Sequence, residues 1–437
     1  MLVAPVLAFI LSSIIRYTPD PGSKEYFFSR NENIPVYIFM SIIVAAFLGL
    51  TQSAEEIFRD RKILKREQFL NLNRHSYLLA KIAFLIVISS IQSLLFIAVA
   101  NPVLGIKGMF FNYWLALMAT SFCANMLGLI ISGSLSSVIS IYIVIPLLLI
   151  PMMILSGAMF PFDKLNRLLT RSDKVPLIAE MMPTRWTYEA LMVSQFRDNR
   201  YNSVPYNKEG DTHYSLEKKI SAADFNNVYR LPELSKVLVQ TRDMLENSHH
   251  DPGVIEHNMR LIRNELGKAA GFTGAPSLNP EIKTNAAALT PQVMDSLQSY
   301  INELTGFFRN ITERAEMIRD QFLQLNNVKV REMEKDYYNY KLEEIVTKYY
   351  ETDKILRYRD TFIQNTDPVY LDPEIKGPLC FRSHFFAPSK NIFGIRIDTF
   401  KFNTGLIFAG TLLLYVILYT DLIRRLMNFS WKIRNRE

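Results

Sequence analysis

Few residues in this sequence have the types and spacing that catalysis or metal binding requires. His249, His250 and His257 lie close enough along the chain for two imidazoles to meet across a turn, and imidazole is a common zinc ligand. A polar loop between two helices accounts for the same residues without a metal, and we favour that interpretation. The sequence contains no H-E-x-x-H, C-x-x-C or G-x-S-x-G pattern. It therefore predicts no catalytic site, metal or cofactor in this chain.

The sequence also lacks a visible energy source of its own. It contains no G-x-x-x-x-G-K-[ST] loop, the device that cradles the phosphates of ATP. Its apolar segments carry almost no ionisable residue, and Lys81, near the start of one of them, can extend its ammonium to the membrane interface. An ion-coupled pump needs a buried carboxylate or histidine to bind its ion. If this chain is part of a transporter, we expect a partner ATPase to supply the energy.

A charged segment, residues 51–77, separates two apolar runs. Its basic residues are Arg59, Arg61, Lys62, Lys65, Arg66 and Arg74, and its acidic residues are Glu55, Glu56, Asp60 and Glu67. The apolar residues Ile57, Ile63, Leu64 and Phe69 have nearly helical spacing, which predicts one or two short amphipathic helices. A basic loop between two spans marks the cytoplasmic side, and a helical one offers a surface that another protein can contact.

The composition is that of a multi-span membrane protein with one large extramembrane insertion. Of the 437 residues, 49% are hydrophobic, and they concentrate at the two ends of the chain. The net charge of +7 arises largely in the charged segment and the C-terminal tail, so no nucleic-acid partner is needed to explain it. Two cysteines, Cys123 and Cys380, do not make a disulfide framework.

The hydropathy pattern predicts six transmembrane helices. They cover residues 2–15, 34–50, 78–100, 111–132, 138–155 and 402–422. The first is short for a full span, which needs about 20 residues. We therefore predict an all-α integral membrane protein with a large helical extracytoplasmic insertion between spans five and six.

The positive-inside rule orients these spans. If segment 51–77 is cytoplasmic, both termini are cytoplasmic and residues 157–400 lie outside the cell. The basic tail then falls on the same side as the charged segment, as the rule requires.

The sequence divides into four predicted parts. Residues 1–156 hold spans one to five, 157–200 a re-entrant or outer-leaflet segment, 201–392 an extracytoplasmic helical domain, and 393–437 span six with the tail. Heptad-like apolar spacing over 293–325 and shorter patterns over 231–245 and 255–266 predict helices. A tyrosine-rich pattern over 333–358 predicts a fourth helix, and four prolines predict irregular structure over 367–388.

Four motifs, in this order and spacing, resemble the membrane domain of G-subfamily-like (White-like, type II exporter fold) ABC transporters in a bacterial form. They are APVLAFIL at residue 4, SAEEIFRDR at residue 53 followed by YLLAK at residue 77, SG at residue 156 with PTRWTYEA at residue 183, and GIRIDTFKFN at residue 394. The family's ATPase domain usually precedes the first span on the same chain, and here it does not appear. The loop before span six is also far longer than in familiar members.

The resemblance implies an exporter membrane domain that pairs with a second copy, commonly as a homodimer. It implies an ABC nucleotide-binding domain as partner, upstream on the same polypeptide or as a separate subunit, with ATP and Mg²⁺ bound there. Segment 51–77 would be the coupling helix, with Glu55, Glu56, Arg59, Asp60 and Arg61 as its contact or hinge residues. Spans two and five would line a central substrate cavity, whose candidate residues are Phe39, Met40, Ile43, Ile150, Met152 and Met153.

The resemblance also implies a location in the cell inner membrane, in contact with membrane lipids. Another interpretation is a membrane-anchored envelope interaction protein, whose outer helical domain binds a partner without transport. The interrupted fifth span, with Pro146 and Pro151, favours a conduit over an anchor.

Overall fold

The structure is a computed structural model that describes residues 2–18, 25–67, 73–135, 137–165, 175–246, 252–277, 290–373, 377 and 381–425. Helices of the N-terminal part are α1 (Val3–Ile15), α2 (Ile34–Ser53), α3 (Glu56–Glu67), α4 (Arg74–Leu104), α5 (Phe110–Ser134), α6 (Val138–Ile154), α7 (Leu177–Glu180) and α8 (Pro183–Arg197). The later helices are α9 (His213–Asp224), α10 (Leu231–Glu246), α11 (Pro252–Ala270), α12 (Pro291–Leu325), α13 (Asn327–Tyr337), α14 (Tyr340–Thr347) and α15 (Thr399–Tyr419).

Four helices of the described residues are long and apolar enough to cross a bilayer. They are α4, α5, α15, and α2, which is counted together with the start of α3. The other two apolar helices, α1 with 13 residues and α6 with 17, are shorter. At 1.5 Å per residue they extend about 20 and 26 Å, against a hydrocarbon layer of about 30 Å. A mostly helical membrane protein is thus confirmed, while six spans remain a prediction.

Helix α4 runs past residue 100, where the sequence predicts the end of the third span. It continues to Leu104 with Pro102 inside it, and ends where Gly105 adopts a left-handed conformation at φ 68°. Glycine adopts this conformation without a steric penalty. The end of the helix is therefore set by the glycine and not by the proline.

Helices α2 and α5 approach each other closely through two glycines. A Cβ added to Gly49 would lie 2.4 Å from the Ser121 carbonyl oxygen, and one added to Gly128 would lie 2.9 Å from the Leu50 carbonyl oxygen. Small residues allow such backbone contact between membrane helices, which associate mainly by packing. The backbones of α2 and α5 are therefore in direct contact.

The contacts divide the chain into two units. Unit 1 comprises Met1–Arg200, Glu332–Glu343 and Asp372–Glu437, and unit 2 comprises Tyr201–Arg331 and Glu344–Leu371. In unit 1, an antiparallel hairpin of β3 (Ser389–Ile392) and β4 (Ile395–Asp398) leads directly into α15. Asp398 accepts hydrogen bonds from the backbone N–H groups of Phe400 and Lys401 and so caps that helix.

Unit 2 has its own hydrophobic core. Buried side chains of α10, α11 and α12 form it, among them Leu234, Ile262 and Leu304. These are the three helices that apolar spacing predicts. The helix predicted over 333–358 is confirmed only over 333–337 and 340–347, in α13 and α14. The chain breaks after Tyr337 and ends this stretch in strand β1 (Ile355–Tyr358), which pairs with β2 (Thr361–Gln364).

Two sequence features fall outside the described residues: Cys380, and His249 with His250. Within the described residues, no group of three or more His, Cys, Asp and Glu side chains is placed to hold a metal ion. His257 lies instead beside Asp360, with Nδ1 2.6 Å from the carboxylate, in an exposed part of unit 2.

Candidate functional site

Helix α3 is anchored to the end of α5 through its own N-terminus. The backbone N–H groups of Ile57 and Phe58 donate to the Ser132 hydroxyl oxygen at 3.1 and 2.9 Å. The first N–H groups of a helix have no partner within it, so a hydroxyl from a neighbouring helix satisfies them. One serine thus fixes where α3 begins relative to α5.

Arg61 makes a second connection between these helices. Its guanidinium Nη2 donates to the carbonyl oxygens of Ser132, Gly133 and Leu135, at 3.3, 3.1 and 2.5 Å. These carbonyls belong to the last turn of α5 and the residue after it, where the helix dipole is negative and a cation is favourable. Arg61 is therefore a cap for α5 rather than a free surface charge.

Ion pairs join α3 to the first turns of α4. The Lys81 ammonium lies 2.6 Å from Glu56 Oε2 and 2.9 Å from Asp60 Oδ2. The Tyr77 hydroxyl donates to the same oxygen of Asp60 at 3.0 Å. Because these groups are only 15–23% exposed, solvent screens the pairs less than it would at an open surface.

Helix α3 also reaches α6 and the apolar interior. The Tyr142 hydroxyl of α6 donates to Glu55 Oε1 at 2.5 Å. Ile57 is buried in a cluster with Leu78, Ile82 and Leu129. Helix α3, with Glu55 just before it, thus contacts α4, α5 and α6.

Among the α3 side chains that the structure describes, Arg59 and Ile63 are exposed, and they lie one turn apart. The Arg59 side chain is 67% exposed and pairs with Glu56 at 3.1 Å, while Ile63 is 45% exposed. The five predicted coupling residues therefore have different positions. Glu56, Asp60 and Arg61 hold α3 in place, Glu55 contacts α6, and Arg59 alone of the five is exposed to solvent.

The predicted cavity residues are likewise split between two environments. Phe39 and Met152 are buried, and both positions contact α8: the Phe39 ring lies 6.3 Å from that of Tyr188, and the Met152 carbonyl accepts a hydrogen bond from Thr184 at 2.6 Å. Met40 and Ile150 are exposed, at 37% and 53%. Ile43 and Met153 are half-buried. The structure does not gather all six into one pocket.

Comparison with known proteins identifies the N-terminal part of the chain. Residues 1–196 match the family "ABC-2 type transporter", and the match ends at the last turn of α8. The chain is similar to this family over these residues, 196 of its 437. They contain α3, the contacts described above that anchor it, and every predicted cavity residue.

The chain is also weakly similar to a G-family transporter. "ABC transporter G family member STR" of Medicago truncatula is 24% identical over 204 residues, which are 46% of this chain and 23% of that protein. The chain thus aligns with about a quarter of the length of this curated relative. The likeness to a G-family membrane domain that the motifs predict is confirmed.

Unit 1 also carries a buried charge cluster that sequence reasoning missed. Glu189 of α8 accepts from the Lys390 ammonium at 2.7 Å and from the Asn403 amide at 2.9 Å, and Arg185 lies 3.4 Å away. Lys390 and Glu189 are fully buried, and burial lowers the pKa of the Lys390 amine to about 8, against the opposing attraction of Glu189. The cluster ties α8, β3 and α15 together.

Proposed function

We propose that this chain is the membrane subunit or domain of an ATP-driven ABC exporter, which forms the substrate pathway and receives force through α3. The observation that carries the proposal is the attachment of α3. It is joined to α4 by Lys81, to α5 by Ser132 and Arg61, and to α6 by Tyr142, while Arg59 and Ile63 face outward. A force applied to that face reaches three helices directly.

The proposed partner is an ABC nucleotide-binding domain that binds ATP and Mg²⁺. The chain carries no phosphate loop, and its match to an ABC-2 membrane domain is the reason to expect one elsewhere. It would lie upstream on the same polypeptide or on a separate subunit. Its contact would be with Arg59, since a carboxylate at the partner's surface would pair with this exposed guanidinium.

A second copy of the chain would complete the pathway. Exposed apolar side chains lie on one face of α6, including Ile143, Leu147 and Ile150, and on α2, including Met40. In a homodimer the two copies of α2 and α6 would enclose a central cavity lined by residues such as Met40, Ile43, Ile150 and Met153. Phe39 and Met152, which pack against α8, would support that lining from behind.

In the proposed topology, six spans cross the inner membrane and both termini are cytoplasmic. Residues 157–400, with unit 2, are then extracytoplasmic. This rests on the positive-inside rule applied to α3 and the tail. Since unit 2 has a hydrophobic core of its own, a role in binding an envelope partner is a second candidate function, which can accompany transport or replace it.

Reversing the charge of Arg59 tests the proposal. In Arg59→Glu, we expect export to fall about tenfold or more while insertion and the amount of protein in the membrane stay unchanged, because within the chain the variant loses only the exposed ion pair with Glu56, which contributes little to stability. Arg309→Glu, at an exposed position of α12 in unit 2, is the matched control. Unchanged export in Arg59→Glu would argue against coupling through α3. If only substitutions in unit 2 produce a phenotype, that result would favour the membrane-anchored interaction protein.

A further inference from the structure

A small cavity with four polar side chains in a mostly apolar lining lies among α2, α4 and α5. It is lined by Ser41, Gln92, Ser93 and Ser121, with an apolar remainder of Val44, Ala45, Leu48, Phe96 and Leu117. Its volume of about 10 Å³ has room for roughly one water-sized group. None of the predicted pathway residues lines it.

The cavity lies deep in the membrane. Gln92 is about 27 Å along α4 from Arg74 and about 18 Å from Leu104, and Ser121 is about 17 and 20 Å from the two ends of α5, at 1.5 Å per residue. Bulk water does not reach this depth of a bilayer. Every polar group there needs a partner from the protein or from something bound to it.

One acceptor of the lining has no donor, although the Gln92 amide N–H groups and the Ser93 hydroxyl can themselves donate. Gln92 is 9% exposed, and its buried Oε1 has no hydrogen-bond partner among the described residues. The Ser41 hydroxyl donates its proton to the Ile38 carbonyl at 2.8 Å, and the Ser121 hydroxyl donates to Ser89 at 3.2 Å. Their lone pairs, with Gln92 Oε1, form a set of acceptors at the middle of the membrane.

We propose that this cavity binds one hydroxyl group that donates a hydrogen bond to Gln92. A hydroxyl has the right size, and its proton supplies the hydrogen-bond donor that Gln92 Oε1 lacks. Two sources carry this chemistry: a water molecule, or the hydroxyl of an otherwise apolar membrane solute whose chain lies against Val44, Leu48 and Phe96. An ether of the same shape offers no proton and does not satisfy the site.

The test uses the full chain in phosphatidylcholine nanodiscs with a photoactivatable long-chain alcohol and its methyl ether as probes. If a membrane solute supplies the hydroxyl, the alcohol labels the peptides of α2, α4 and α5 about five- to tenfold more than the ether, the effect of one hydrogen bond. Gln92→Leu removes this preference. Ser90→Ala, on the same helix but outside the cavity lining, keeps it.

An electron cryomicroscopy map of the same sample distinguishes the other source. If water supplies the hydroxyl, the two probes label equally, and one ordered density lies beside Gln92 that disappears in Gln92→Leu. Ser121→Ala removes a second acceptor and replaces Gln92→Leu should that variant fail to insert. Equal labelling by both probes together with an empty cavity in the map overturns the proposal.

Discussion

The Lys81 ammonium lies 2.6 Å from the Glu56 carboxylate, and this contact joins α3 to α4. Glu56 begins α3, and Lys81 lies two turns into a helix of 31 residues. A lysine near the end of an apolar helix can extend to the interface without a partner. Here it has two carboxylates, so its charge serves to hold a neighbouring helix.

A double-mutant cycle measures that connection. Glu56→Gln and Lys81→Met should each lower thermal stability in nanodiscs. The double variant should lose less stability than the two single variants lose when their losses are added. We expect an interaction free energy of about 1 kcal/mol, typical of contacting charged residues that are partly buried. Arg309→Gln combined with Lys81→Met is the control, since Arg309 is an exposed residue of α12 and Lys81 pairs with Glu56 and Asp60 instead. Strictly additive effects for Glu56 and Lys81 would show that the contact does not hold α3.

Close packing of α2 on α5 predicts a strong effect of one methyl group. Gly49→Ala would place a Cβ 2.4 Å from a backbone carbonyl, so the two helices must separate. We expect a loss of about 2 kcal/mol of stability, in the range for overpacked sites. Gly410→Ala is the matched control in a membrane helix, because nothing lies within 4 Å of the added Cβ. A similar melting temperature for Gly49→Ala and Gly410→Ala would contradict the packing described here.

The buried ion pair of Glu189 and Lys390 predicts a large effect when one partner is lost. Lys390→Met leaves a buried carboxylate without its ammonium and should destabilise unit 1 by about 3–5 kcal/mol. The triple variant Arg185→Met, Glu189→Leu and Lys390→Met should recover much of that loss, since it removes all three charges of the cluster together. Thermal unfolding followed by tryptophan fluorescence measures both variants. A triple variant that is less stable than Lys390→Met would contradict this account of the cluster.

The same lysine predicts a pH dependence. Its pKa is lowered to about 8 in the folded protein, while an exposed lysine has a pKa of about 10.4. Between these values the unfolded chain binds the proton more tightly, so the contribution of Lys390 to stability increases as the pH rises from 8 to 10. The melting temperature of the wild type should therefore rise over this range relative to Lys390→Met. A parallel change in both proteins would place the pKa of Lys390 near its ordinary value.

Local patterns predict helices well in this chain but not their partners. The spacing of Ile57 and Ile63 predicts α3, yet nothing near it in sequence points to Ser132, which accepts its first N–H groups from 75 residues away. The pair of Glu189 and Lys390 is hidden in the same way, because the two are separated by 201 residues. A charge in an apolar or motif-rich stretch is the one signal that could have prompted a search for a buried partner.

The break in the helix predicted over 333–358 shows how a tertiary contact overrides local preference. Asn339 accepts from the Leu342 N–H and donates to the carbonyl oxygens of Phe28 and Asn31, so it ends one helix and begins another. Further on, Arg359 adopts a φ of 51° and turns the chain into a hairpin. Aromatic residues suit strands as well as helices, and their spacing alone does not decide between them.

Site-specific photo-cross-linking from α3 tests the central claim most directly. A photoreactive amino acid replaces Arg59 or Ile63 in the full chain, expressed in its native membrane, and Phe393, an exposed residue of the β3–β4 turn, is the control position. The account predicts adducts from 59 and 63, and not from 393, to a sequence that carries a phosphate-loop ATPase, on this polypeptide or another. Adducts to such a sequence from position 393 alone would contradict coupling through α3. So would the formation of lipid adducts at positions 59 and 63 with no adduct to such a sequence from any of the three positions.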